Sequence, residues 1–173
     1  MTTAAVGSIG KAEENFVLTL ADADAFRTWV GAADQAAAKN RIHLEGLPPP
    51  DDGHTYTLAE LQAVRPYAMF FTRTWNLEQD AGGGPFGYGA PHGTISCAFV
   101  QDVPSAIANH PGEVGRRFIN TIDGIVVDMK GLSGDAGYLA IRRIAVPEPW
   151  WRSTKEELAT EGDVQAVELL FEY

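Results

Sequence analysis

The chain contains a single cysteine, Cys97, in 173 residues. No disulfide can form within it, and a lone thiol fits a reducing cytoplasm. It has no apolar run approaching the roughly 18 residues that a membrane-crossing helix needs. The opening MTTAAVGSIGKAEEN lacks the basic lead and apolar stretch of a secretory signal. Together these absences predict a soluble protein. Positive charge is also scarce: 13 Lys and Arg stand against 23 Asp and Glu, for a formal net charge of −10. The basic pairs are Arg116-Arg117 and Arg142-Arg143, far from the clustered cations that grip a phosphate backbone. Internal repeats and low-complexity tracts are missing as well.

The familiar signatures of chemistry are equally sparse. His43, His54, His92 and His110 fall in different elements, with no HxH, HExxH or CxxC spacing to gather a metal. Gly82–Gly93 is glycine-rich, yet it has no Gly-Lys-Ser/Thr ending and no GxGxxG, so it does not read as a phosphate cradle. Cys97 sits mid-strand among Ile95, Ala98 and Phe99, where a buried structural thiol fits better than a nucleophile. Asp123 and Asp128 flank the apolar stripe of a helix and read as solvated charges rather than a catalytic carboxylate pair. No catalytic, cofactor-binding or metal-binding residue is expected, and no cofactor.

What the chain does have is a patterned series of helices and strands. In Gly112–Leu132, the residues Val114, Phe118, Ile122, Ile125, Met129 and Leu132 form one stripe at helical spacing. In Asp163–Tyr173, Val167, Leu169, Phe171 and Tyr173 alternate as one face of a strand. Tyr67–Trp75 and Thr94–Val100 are rich in aromatic and β-branched residues and are expected to be strands. The loop between them, NLEQDAGGGPFGYGAPHG, is too long for a tight turn and reads as an extended hairpin loop that orders on assembly. Thr57-Leu58-Ala59-Glu60 is a capping box that predicts a helix over Leu58–Val64, and Asp51-Asp52-Gly53 predicts a turn.

Nearer the start, the first fifteen residues read as a flexible arm and Phe16–Leu20 as a short edge strand. A helix capped by Asp22 or Asp24 is expected to carry Phe26, Trp29, Val30, Ala33 and Ala37 on one face. Arg41–Leu47 reads as a short strand stopped by Pro48-Pro49-Pro50. After the long helix, Gly131, Gly134 and Gly137 lead into a predicted strand Tyr138–Val146, whose apolar phase shifts between Ile141 and Ile144, as at a bulge. These elements predict an α+β fold in one domain, residues 1–173, with a mainly antiparallel sheet packed by the long helix and an N-terminal helix.

Two aromatic loops remain. In Pro147-Glu148-Pro149-Trp150-Trp151-Arg152, two adjacent tryptophans in an irregular segment cannot both enter one core. Phe86 and Tyr88 lie in the long glycine-rich loop. Phe86, Tyr88, Trp150 and Trp151 are therefore the candidate interface residues, since aromatic anchors carry much of the binding energy of protein contacts.

The lead-in Arg65-Pro66-Tyr67-Ala68, the turn Val100-Gln101-Asp102-Val103-Pro104, and the segments TISCAFVQDVP, RRFINTIDGIVVDMKGLSGDAGYLAIRRI and GDVQAVELLFEY resemble the tail terminator proteins of long-tailed bacteriophages. The resemblance covers Tyr67–Tyr173 well and the remainder in outline. It implies a compact α+β subunit of the virion neck, assembled in the host cytoplasm. That subunit forms a homohexameric ring on the tail tube protein, stops tube polymerisation and meets a head-connector or stopper protein. DNA would pass through the lumen without specific binding, as an acidic lining would allow. Another phage neck or tail-completion protein is the alternative within phages. A small cytoplasmic α+β enzyme or ligand-binding domain is the alternative outside them.

Overall fold

The structure, a computed structural model, describes residues 8–50, 52–76, 92–147, 151–154 and 157–173. Among them the fold is α+β. Five helices, α1 (Ile9–Asp22), α2 (Asp24–Val30), α3 (Gln35–Lys39), α4 (Leu58–Val64) and α5 (Pro111–Leu132), accompany six strands. The strands are β1 (Ile42–Leu44), β2 (Tyr67–Asn76), β3 (His92–Asp102), β4 (Arg143–Ala145), β5 (Trp151–Arg152) and β6 (Val164–Glu172). The sheet runs in the order β1-β2-β3-β6-β4, with β5 also on β6. Only β1–β2 is parallel; β2–β3, β3–β6, β6–β4 and β6–β5 are antiparallel. No helix among the described residues is long and apolar enough to cross a membrane.

Strand alternation builds the core. Phe70, Ile95, Cys97, Phe99, Val167, Leu169 and Phe171 point to one side of the sheet, where they meet Phe16 and Leu20 of α1, Phe26 of α2, and Phe118, Ile122, Ile125 and Met129 of α5. Phe16 is the hub, its ring centroid 5.2 Å from those of both Phe70 and Phe171. Among the described residues the opposite side is covered at one end alone, where Tyr67, Val100 and Val164 pack with Leu47 and with Val64 of α4. The long-helix stripe, the capping box and the two long central strands therefore stand as the pattern predicts, and α5 begins one residue earlier, at Pro111 in its first turn.

Several expectations are corrected. Phe16–Leu20 is not an edge strand and the first fifteen residues are not an arm throughout, because Ile9–Asp22 is one helix. Ser8 caps it by accepting Lys11 N–H, and Ala12, Phe16 and Leu20 fall on its buried face at i, i+4 spacing. The next helix breaks in two. Gly31, at φ 67°, ends α2 in the left-handed conformation, and Asp34 restarts the chain as α3 by accepting Ala37 N–H at 2.8 Å.

Neither Asp22 nor Asp24 caps α2. They are the last residue of α1 and the first of α2, and Ala23 between them has no capping side chain. The cap comes from 103 residues away: Asp128 of α5 accepts Ala25 N–H at 2.7 Å. Asp128 is thus a tie between helices rather than a solvated charge.

Finally, Tyr138–Val146 pairs as a strand only over Arg143–Ala145. Leu139 and Ile141 are buried as the alternation required, but side chains take their backbone groups. Leu139 N–H donates to Thr19 Oγ1 at 2.8 Å, Ile141 N–H to Ser133 Oγ at 2.7 Å, and Lys130 Nζ to the Ile141 carbonyl at 2.8 Å. The phase shift marks the passage from this strap to the sheet, not a bulge. The strand reading of Arg41–Leu47 contracts to Ile42–Leu44, and Glu45 turns away at φ 60°.

The register irregularity in the sheet lies in β2, between Thr72 and Thr74, and it returns Trp75 to the helix side. Opposite it, Gly93 admits no side chain, since a Cβ there would lie 2.2 Å from the Thr74 carbonyl oxygen.

Candidate interaction surfaces

The half of the sheet beyond α4 is the most distinctive surface. Alternation sends Phe71 and Arg73 of β2, Ser96 and Ala98 of β3, and Glu168 of β6 to the side away from α1, α2 and α5. Phe71 stays 41% exposed, with the Arg73 guanidinium carbon 5.3 Å from its ring centroid. Glu168 accepts from both Arg73 Nη2 and the buried Ser96 Oγ. These residues, with Glu45 and Met69, line a groove of about 290 Å³. Both donors occupy Glu168 Oε1, so the carboxylate is organised to hold the strands in register rather than to move protons.

Trp151 belongs to the same side. It pairs with Ala166, whose neighbours Val164 and Val100 lie in the apolar patch under α4, and it is 38% exposed. Its position in β5 is fixed by Arg152, whose Nε donates to Asp163 at 2.8 Å while Nη2 reaches the other carboxylate oxygen. The bidentate pair raises the pKa of the guanidinium further, through the hydrogen bond to Asp163 first. Of the four predicted interface residues, Trp151 is therefore placed on a partly exposed sheet edge. Phe86, Tyr88 and Trp150 lie outside the described residues.

The polar candidates are largely committed to structure. Cys97 is fully buried, and its thiol is pushed well above its ordinary value by burial first and Glu168 second, which keeps it in the unreactive thiol form. His43 packs edge-on against Tyr67 at 5.6 Å, and its pKa is lowered by burial and then by Arg41.

His54 is clamped in a loop, Nδ1 against Asp52 and Nε2 3.0 Å from Glu60. Its pKa is raised by the Asp52 bond first and the Glu60 bond next. Glu60, held by Thr57 N–H, Thr57 Oγ1 and His54, titrates at about 2. His110 is the residue before α5 and makes no side-chain cap. Among the described residues, no group of three or more His, Cys, Asp or Glu is placed to hold a metal ion.

A cleft of about 490 Å³ lies between the α2–α3 turn, β1 and α4, with Asn40, Arg41 and His43 on its wall. Arg41 Nη1 donates to the Val64 carbonyl at 2.6 Å, closing the end of α4. The guanidinium is thus already spent on the fold.

Residue-type reasoning missed two features. Phe71 alternates with Phe70, and nothing in a run as uniformly apolar as YAMFF says which face will be covered. Arg65 is buried, bonded to Asp102 at 2.9 Å and to the Glu161 carbonyl at 2.6 Å. It joins the start of β2, the end of β3 and the turn before β6, and its signal was only its place beside Pro66. The sequence matches no protein-family model and no curated protein.

Proposed function

We propose that this chain is a tail-terminator-type subunit of a long-tailed bacteriophage. It forms a homohexameric ring at the head-proximal end of the tail tube, ends tube polymerisation and presents a face to the head connector. The observation that carries the reading is the half-covered sheet. The segments that bear the resemblance form β2, β3, α5 and β6, packed in one core, and this unit keeps Phe71 and Trp151 partly exposed on the side away from α5. A subunit that works through surfaces needs such apolar area outside its own core.

The charge fits the same role. At −10 per chain, a ring of these subunits would let duplex DNA pass its lumen without the counterion release that makes basic surfaces adhere. The test starts from tail tubes grown in the absence of this chain. Adding the purified chain should stop elongation and leave a ring on one end in electron micrographs. Unchanged growth with no end density would sink the proposal.

A further inference from the structure

Resting on the ring reading, we infer that the subunits join edge to edge: β4 of one copy pairs with β1 of the next, and its basic flank meets the acidic flank of a groove beside β1. Both outer strands of the sheet lack a strand partner among the described residues. On β1, the bonds to β2 use the Arg41 carbonyl and Glu45 N–H. Alternation therefore turns the backbone groups of Ile42 and Leu44 outward.

Leu44 is 52% exposed and borders a groove of about 470 Å³ that runs along α1, lined by Glu13, Glu14, Val17, Leu18, Lys39 and Phe70. Glu45 is exposed just past the strand and lines the groove on the sheet's other side. Glu14 pairs with Lys11 at 3.1 Å and Glu13 accepts from Thr72 Oγ1 at 2.8 Å, so with Glu45 the edge carries three carboxylates against Lys11 and Lys39, around an apolar floor.

The other edge has the converse character. Arg142 and Arg143 are exposed, Ile144 packs inward, and Val146 is 58% exposed just past β4. Arg143 lies 3.6 Å from Glu172 across β6. Arg142 has no carboxylate within ion-pair distance among the described residues.

Strand direction is compatible. Because β1 is parallel to β2 and three antiparallel steps separate β2 from β4, β1 and β4 run in opposite senses. A neighbour related by rotation about an axis along the strands would thus add as an antiparallel strand. It would also keep α1, α2 and α5 of every copy on the same side of the continuous sheet. The two edges differ, so the contact is heterologous, the type that makes a ring when its rotation closes. Three-residue strands supply few backbone bonds, so charge pairing and the burial of Leu44 and Val146 must set the register.

The test uses the full chain in two forms. In the first, Arg142→Glu with Arg143→Glu on one batch, and Glu13→Lys with Glu45→Lys on another, should each raise the concentration needed for assembly on the order of tenfold. Mixing the two batches should restore the ring. In the second, Leu44→Cys and Val146→Cys are combined in one chain and treated with a short bismaleimide. Cys97 is fully buried and does not compete. Assembled rings should then give a ladder of covalent multimers that neither single variant gives.

Rings that form normally in both charge-reversed batches, or that yield no ladder, would overturn the edge-to-edge contact while leaving the ring reading intact. A chain that stays monomeric even on tail tubes would overturn both.

Discussion

Phe70 and Phe71 are adjacent in one strand, yet Phe70 is 4% exposed and Phe71 is 41% exposed. The first enters a cluster with Phe16 and Phe171 beneath the helices, and the second lies on the uncovered half of the sheet beneath Arg73. The two faces differ in what holds them. One is dispersion and apolar burial among fully enclosed rings, worth roughly 1.5–3 kcal/mol for each large side chain. The other is a thin layer of charge-assisted bonds, Arg73 and Ser96 on Glu168, between strands already bonded through their backbones. Stability therefore resides on the helix side, and the other side is free to serve contacts.

The largest effect separating the two faces should come from Phe16→Ala. It removes the ring that touches both Phe70 and Phe171 and should cost about 3–5 kcal/mol in denaturant unfolding. Phe71→Ala should leave the unfolding midpoint nearly unchanged while weakening assembly. Equal losses from the two substitutions would erase the distinction between faces.

Next in size is Arg65→Ala. It strands Asp102 and the Glu161 carbonyl at the junction of β2, β3 and β6, and about 2–3 kcal/mol should be lost. Asp128→Ala follows at about 1 kcal/mol, because it deprives α2 of the N-terminal partner its own sequence does not supply. Amide exchange at Ala25 should quicken in that variant, and unchanged protection would show that α2 needs no cap.

The smallest effect is the pH dependence of the His54 clamp, which is solvent-exposed. His54 titrates above its ordinary 6.5 in the folded chain. Its contribution is therefore fully present below pH 6.5 and is lost as pH rises through the folded value. Glu60 runs the other way: lowered from 4.5 to about 2, it stabilises above pH 4.5 and its contribution is lost as pH falls toward 2. A proton NMR titration of His54 should show the upward shift, and Asp52→Asn should bring it back down. A His54 titration that ignores Asp52 would remove the clamp.

Elements governed by local rules were legible in the sequence. The Thr57–Glu60 box and the stripe from Val114 to Met129 specify α4 and α5 almost to the residue, because caps and periodicity act within one turn of chain. Phe16-Val17-Leu18-Thr19-Leu20 misled, since β-branched and aromatic residues suggest a strand wherever the helical spacing of the flanking Ala12 is overlooked. The strap at 138–142 could not be foreseen, because its partners Thr19, Lys130 and Ser133 come from other elements. The same holds for the cap that Asp128 lends to α2. Among the interaction residues, Trp151 was visible as half of an unusual aromatic pair. Phe71 and the two sheet edges were not, because which face and which edge remain uncovered is decided only when the helices dock.

The most direct test of the ring account is the mass of the intact chain by native mass spectrometry, free and after incubation with tail tubes. The account predicts a discrete species of six copies of the 18.7 kDa subunit, formed alone or on release from tubes. A single-subunit mass under both conditions would contradict it.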